Sequence, residues 1–327
     1  MKILLTGANG FVGSHILEVL LDMKARVVLL LRPAADCGFI NERLKNVEIH
    51  RGTLDDPGIL ETAMHDVDAV IHCAGKTKAL RVAEYDAVNY IGTENIVTAA
   101  NTCRYTLKHL VYISSLAVSG PGDLQRPARE IEPPRPVSAY GRSKLRGEQA
   151  VIGQSRVPWT VLRPAAVYGP RDADFFNAFR SVKQWIMPLI DRGERPLSLI
   201  YVRDVAEAVR DSLAKPEAAG KIFHVAAEPP CTDKVLLEEI AGQMGIRPLR
   251  LNLPAVALYP VCLANDLLAR LTGRPQILNY QKVAELRAPG WVCTTDRIRN
   301  TLGFTAETTL PEGVRRTLAW YRRQGWL

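Results

Sequence analysis

Tyr140 and Lys144 stand four residues apart in Tyr140-Gly141-Arg142-Ser143-Lys144, a spacing that puts both side chains on one face of a helix. An ammonium beside a phenol lowers the phenol's pKa from about 10, and each unit of that shift corresponds to roughly 1.4 kcal/mol. A phenol tuned in this way can give or take a proton near neutral pH. Ser115 lies 25 residues upstream at the end of an apolar run, where its hydroxyl can hydrogen-bond the oxygen that reacts. With ten tyrosines in the chain, such a pair alone arises easily by chance; its weight comes from the motifs around it. Catalytic work is expected of Ser115, Tyr140 and Lys144.

The second motif binds rather than reacts. Thr6-Gly7-Ala8-Asn9-Gly10-Phe11-Val12-Gly13 follows the first apolar run directly and opens a helical stretch. Gly7, Gly10 and Gly13 permit a tight turn, close backbone approach to a pyrophosphate, and close packing of helix on strand; exposed N–H groups and the helix dipole then favour an anion. The spacing is GxxGxxG, one residue different from the GxGxxG of ordinary dehydrogenases. An acidic residue ending the second strand would hold the ribose hydroxyls of NAD, but this chain has Leu31-Arg32-Pro33. A guanidinium at Arg32 can grip a 2′-phosphate bidentately. NADP(H) is the expected cofactor, with NAD(H) as the alternative.

These residues need a scaffold, and the first half of the chain supplies its pattern. Lys2–Leu5, Arg26–Leu31, Val47–Arg51, Asp68–His72, His109–Ser114 and Pro158–Leu162 read as strands rich in Val, Ile and Leu. Helical stretches alternate with them over Phe11–Met23, Pro57–Met64, Glu84–Cys103 and Ser138–Ser155. The rhythm predicts an α/β fold, a Rossmann-type doubly wound parallel sheet with helices on both faces. After about Phe175 the rhythm loosens, with helices near 203–214 and 232–244 and a short strand near 221–225. The expected division is a dinucleotide-binding domain over 1–172 and a smaller, interleaved substrate lobe over 173–327, some of whose segments return to the first domain. Leu251, Leu253, Val256, Ala257, Leu258, Val261, Leu263, Leu267, Leu268 and Leu271 form an apolar stretch there. It reads as core helix, substrate roof or membrane-surface helix.

Composition narrows the classes. The 327 residues carry 47% hydrophobic and 23% charged side chains, enough apolar mass for a full core. No apolar run reaches the roughly 18 residues of a spanning helix, and Ile3–Leu5 stops at Thr6-Gly7, short of a signal-peptide core. A cytoplasmic protein with reduced thiols is expected, since the six cysteines show no CxxC pair and no metal-ligand spacing. The net charge is +8, about half of it from arginines in residues 287–327. Arg315-Arg316 and Arg322-Arg323 read as the solvated face of a helix packed through Leu318, Trp320 and Tyr321, and no nucleic-acid partner is expected. His72 reads as a strand-end packing residue, and no histidine is assigned to catalysis or metal.

The sequence resembles the extended short-chain dehydrogenase/reductases, the NAD-dependent epimerase/dehydratase family, over nearly all its length. The resemblance rests on TGANGFVG (6–13), HCAG (72–75), VNYIGT (88–93), SSLAVSG (114–120), YGRSK (140–144), LRPAAVYGPR (162–171) and YVRDVA (201–206), in the family's order and spacing. It implies that Cys73, Ala74 and Gly75 line the cofactor, that Asn89 steadies the helix beneath it, and that Lys144 also bonds the nicotinamide ribose. Phe11, Val12, Leu54, Pro164 and Val167 join the implied cofactor site, with the backbone after Arg163-Pro164 closing over the nicotinamide. Thr53 stands where the family often places an Asp facing the adenine amine. The resemblance also implies a homodimer through the helices at 84–103 and 138–155.

The family divides between nucleotide-sugar epimerases or dehydratases and alcohol–ketone oxidoreductases. Its sugar enzymes usually carry an Asn where this chain has Ala165-Ala166, and an Arg just before the YVxD-like strand, where Leu197-Ser198-Leu199-Ile200 stands. The Asp-Glu pair of sugar dehydratases is replaced by Leu116-Ala117. The expected reaction is therefore hydroxyl–ketone interconversion on a largely apolar small molecule, sterol-, isoprenoid- or flavonoid-like. The resemblance is strongest to the branch of 3β-hydroxysteroid dehydrogenases and dihydroflavonol reductases. A nucleotide-sugar epimerase or dehydratase and a non-catalytic dinucleotide sensor are the alternatives.

Overall fold

A computed structural model describes residues 1–257, 259, 260, 262–265, 272 and 284–327. The apolar positions Leu258, Val261, Leu267, Leu268 and Leu271 lie outside the described residues. Strands β1 (Lys2–Thr6), β2 (Arg26–Leu31), β3 (Glu48–Arg51), β4 (Ala69–His72), β5 (His109–Ile113) and β6 (Trp159–Pro164) form where the alternating pattern places them. They are joined by Lys221–Val225, and the seven lie parallel in the order 221–225, β6, β5, β4, β1, β2, β3. The Val, Ile and Leu runs of β1, β2, β4 and β5 are what a sheet covered on both faces requires, while β3 is a polar edge strand. Ile3, Leu5, Leu29, Ile71 and Val111 pack into one face's core, and Leu4, Val28, Val70, Leu110 and Tyr112 into the other.

The segment 221–225 joins the main sheet beside β6, with Phe223 and Val225 buried. The helix Val202–Ala214 makes the crossover before it, burying Val205, Ala208 and Val209. The single helix expected over 84–103 is three pieces: Val82–Asp86, a π-turn over Ala87–Ile91, and Gly92–Thr102. The buried Asn89 sits in that π-turn. Its amide donates to the Lys76 carbonyl and Ser143 Oγ, both at 2.9 Å, and accepts from the Lys76 N–H at 2.8 Å. An extra residue in a helical turn commonly serves to aim one side chain in this way.

Residues beyond the sheet build a second core from Tyr168, Phe179, Val182, Met187, Leu189, Leu237, Ile240, Leu318 and Tyr321. Strand β7 (Ala166–Tyr168) pairs with Leu199–Tyr201, and β8 (Ile186–Ile190) pairs in parallel with Leu249–Leu253. The C-terminal helix Leu310–Arg323 buries Leu318 and Tyr321, while Arg315 and Arg316 lie exposed and bond Glu312. That is the solvated basic face the sequence suggested. Among the described residues, no helix is long and apolar enough to cross a membrane.

Candidate active site

The strand order reverses between β1 and β4, and a crevice at that point is where doubly wound sheets take ligands. A cleft of about 1300 Å³ opens there, at the C-terminal ends of the strands. Its cofactor-side wall brings together Gly7, Gly10, Phe11, Val12 and Gly13 after β1, Arg32 after β2, Thr53 and Leu54 after β3, and Cys73, Ala74 and Gly75 after β4. Pro164 and Val167 close the wall from the other side. Asn89 is the one expected cofactor residue off this wall: it lies fully buried beneath it, bonded to the backbone of Lys76.

The glycine turn fits a dinucleotide's phosphates. Gly7 has φ +73°, and a Cβ there would sit 2.6 Å from the Ala74 nitrogen; one on Gly13 would meet the Gly7 carbonyl oxygen at 2.1 Å. The helix Phe11–Asp22 starts at Gly10 with no side-chain cap and no acid in its first turn, so no side chain of its own first turn answers its leading N–H groups. An anion is the natural partner for such an end. Arg32 lies exposed on the rim, and its guanidinium has no ion-pair partner among the described residues. Thr53 Oγ1 accepts from the Asp55 N–H at 3.3 Å, and Asp55 itself reaches the cleft. His72 is packed below the turn, between Thr6 Oγ1 at 2.8 Å and Thr93 Oγ1 at 3.1 Å. Burial, then the nearby Lys144 charge, hold its ring neutral with a pKa of about 3.

Ser115 follows β5 and caps a short turn, Leu116–Val118, accepting from the Ala117 N–H at 3.2 Å. The helix Ala139–Gln154 begins at Ser138, whose Oγ accepts from the Gly141 N–H at 3.1 Å. Gly141 is needed for its lack of bulk. A Cβ there would lie 2.6 Å from the Ala117 carbonyl oxygen, so only glycine lets this helix press onto the Ser115 turn. Tyr140 and Ser115 are thereby brought into hydrogen-bond contact, and Lys144 lies one turn on, with all three lining the cleft.

The protonation states differ from the expected ones. Burial pushes the Tyr140 phenol up to about 12, against a lowering by the Ser115 hydrogen bond. Burial drives the Lys144 ammonium down to about 8. Lys144 Nζ is spent on the Ile113 carbonyl, 2.7 Å away, and lies 4.5 Å above the Tyr112 ring. The expected lowering of the phenol by lysine is thus outweighed, because desolvation disfavours both charged forms. The Tyr140 phenol is neutral near pH 7. Cys73 is likewise pushed up to about 12 by burial and is no nucleophile.

Behind this trio runs a buried polar chain that sequence reading missed. Arg163 on β6 bonds Glu148 twice, Nε to Oε1 at 2.9 Å and Nη2 to Oε2 at 2.6 Å, and donates from Nη1 to Ser119 Oγ at 3.0 Å. Ser114 donates to the same Glu148 carboxylate. Glu148 is on the Tyr140–Lys144 helix, so the pair fixes that helix to the sheet.

The far half of the cleft was also not foreseen. Phe175, Pro188, Ile190, Leu236, Leu237, Leu286 and Trp326 give it an apolar lining. Among its polar residues, Lys78 pairs with Asp174, and Arg171 pairs with Glu18 and bonds Ser14. Asp172, pushed up to about 7 by burial, turns its oxygens to the Asp174 and Phe175 N–H groups. Arg195 bonds Asp233 at 2.7 Å, and its buried Nε has no partner among the described residues.

A doubly wound sheet with a glycine-turn cradle and a Ser–Tyr–Lys set at its switch point defines a dinucleotide-dependent enzyme class. The chain belongs to the NAD dependent epimerase/dehydratase family, whose sequence model matches residues 3–226. It is an enzyme of the extended short-chain dehydrogenase/reductase type. It is 26% identical to a ceramide reductase of Caulobacter vibrioides over 99% of this chain and 95% of the relative. It is 24% identical to the decarboxylating sterol-4-alpha-carboxylate 3-dehydrogenase of Saccharomyces cerevisiae, over 98% of this chain and 97% of that one. Among solved structures, the UDP-glucose 4-epimerase of Thermotoga maritima superposes with a TM-score of 0.80 at 20% identity, covering 99% of both chains. That last likeness speaks to the fold.

Proposed function

We propose that the protein is an NADP(H)-preferring oxidoreductase that interconverts a ketone and a hydroxyl on a largely apolar substrate. The observation that carries this reading is Tyr140 held against Ser115, with Lys144 one turn away, on the same cleft wall as the glycine turn. A bound nicotinamide supplies or accepts the hydride. The rest falls to this chain. Ser115 orients the substrate oxygen, and the neutral Tyr140 hydroxyl donates the proton that a reduced carbonyl oxygen requires. Lys144 presents a cation to the ribose side of the cleft, and the backbone at Pro164 shields the reacting carbon from water. Arg32, free on the rim, favours a 2′-phosphate.

Apolar specificity is supported by the lining around Phe175, Leu237 and Trp326, and by Ala165-Ala166 in place of a polar anchor. The ceramide and sterol named for two relatives are substrates of the same character. In this reading, residues 1–172 carry the cofactor and 173–327 form the substrate lobe, apart from segments such as 221–225 that return to the first domain. A homodimer would bury the exposed Ile91 and Ile152 on the helices at 84–103 and 138–155, and the six free cysteines suit a cytoplasmic setting. The test is Tyr140→Phe, assayed with NADPH against a panel of long-chain and polycyclic ketones. Cofactor binding should stay within about twofold while turnover falls by roughly two to four decades; equal turnover removes the mechanism.

One observation favours a second reading. Arg195 Nε on the cleft wall, without a partner among the described residues, suits an anionic group, as a nucleotide sugar would bring. Thermal protection by UDP-glucose, with none from apolar ketones, would select that reading.

A further inference from the structure

We propose that the outer end of the paired strands Ile186–Ile190 and Leu249–Leu253 rests on an anionic lipid surface, and that their shared apolar face guides a hydrocarbon tail into the cleft. The surface contact stands alone; the guiding role rests on the apolar-substrate reading above.

The register makes the face. Ile186 sits opposite Leu249, Pro188 opposite Leu251, and Ile190 opposite Leu253. Alternate residues of a strand share a side, so these six apolar side chains form one continuous strip. Its inner end is in the cleft, where Pro188 and Ile190 are part of the wall. Its outer end is open to solvent: Ile186 is 41% exposed, Leu249 72% and Leu251 44%, and the adjoining Trp185, whose carbonyl accepts from the Leu249 N–H, is 61% exposed. Cys262 packs on Ile190 nearby, leaving its neighbour Leu263 exposed. Large apolar side chains are ordinarily exposed singly, and a cluster of this kind marks a contact surface.

Charge chooses the occupant. Lys183 and Arg247 precede Trp185 and Leu249 by two residues each, both are exposed, and neither has a carboxylate partner among the described residues. Arg250, exposed on the same edge strand, is paired with Glu238. The whole chain carries +8. Tryptophan and leucine flanked by lysine and arginine are the chemistry of interfacial contact with anionic headgroups.

The experiment is co-sedimentation of the full chain, bound to NADPH, with phosphatidylglycerol or phosphatidylcholine vesicles. Wild type should pellet with phosphatidylglycerol at low salt and release at about 0.5 M NaCl, where screening is strong. The double variant Trp185→Glu/Leu249→Glu should bind at least tenfold more weakly, as should Lys183→Glu/Arg247→Glu. NADPH affinity, read by fluorescence, should not move, which shows that both variants are folded. A wild type that stays in the supernatant overturns the proposal, as does a variant that pellets equally well. A variant that turns a wild-type dimer into monomer also overturns it, since a second copy of the chain would then cover this face. Vesicle binding is read without turnover, so a wild type that pellets yet reduces no ketone leaves the surface standing and removes only the oxidoreductase reading.

Discussion

Lys144→Met should make the cofactor-free protein more stable at neutral pH, by an amount that shrinks as pH rises. Lys144 titrates at about 8 in the folded chain and at 10.5 when free. A depressed lysine binds fewer protons folded than unfolded between those values, so stability rises with pH across that window and the charge is a burden below it. Some two and a half units correspond to about 3 kcal/mol below pH 8, falling to about 2 near pH 9 and less than about 1 near pH 10. Losing the bond to the Ile113 carbonyl returns about 1 kcal/mol. The net expected gain for Lys144→Met at pH 7 is therefore about 2 kcal/mol, or roughly 3 °C in Tm for a chain of this length. Urea unfolding of both proteins from pH 6 to 10 measures the difference directly. A variant less stable than wild type at pH 7, or a gap that does not narrow toward pH 10, would show that the buried ammonium is not strained.

Four further outcomes follow from single residues. Arg32→Asp should move cofactor preference from NADP(H) toward NAD(H) by at least tenfold in the ratio of kcat/KM values, and an unchanged ratio refutes the role given to Arg32. Glu148→Ala strands the buried Arg163 guanidinium and should cost about 3–5 kcal/mol in urea unfolding, much more than Glu148→Gln; a loss under about 1 kcal/mol would contradict the paired geometry. Gly141→Ala drives a methyl into the Ala117 carbonyl and should lower kcat by about a hundredfold through misplacement of Tyr140. Gly153→Ala on the same helix, where a Cβ meets nothing within 4 Å, should leave kcat alone and add up to about 1 kcal/mol of stability.

The parts legible in the sequence are those whose information is local. Six strands could be placed because buried parallel strands are written as short Val, Ile and Leu runs. The glycine turn was legible because its three glycines are needed within seven residues, and Tyr140 and Lys144 because one helical turn separates them. Ser115 was found from its place at a strand end. The strand at 221–225 was visible as an element, but its neighbour was not, since pairing with β6 joins residues some sixty apart.

Tertiary structure alone decided the electrostatics and the substrate side. The phenol's tendency to stay protonated depends on how much of the protein surrounds it, a sum over many segments that no spacing records. Arg163 and Glu148 looked like two ordinary charges until β6 and the helix Ala139–Gln154 were packed together. The apolar cleft wall draws on Phe175, Pro188, Leu237 and Trp326, four segments spread over some 150 residues. Short-range periodicity fixes which residues turn inward; which of them meet is fixed by chain crossings between distant segments.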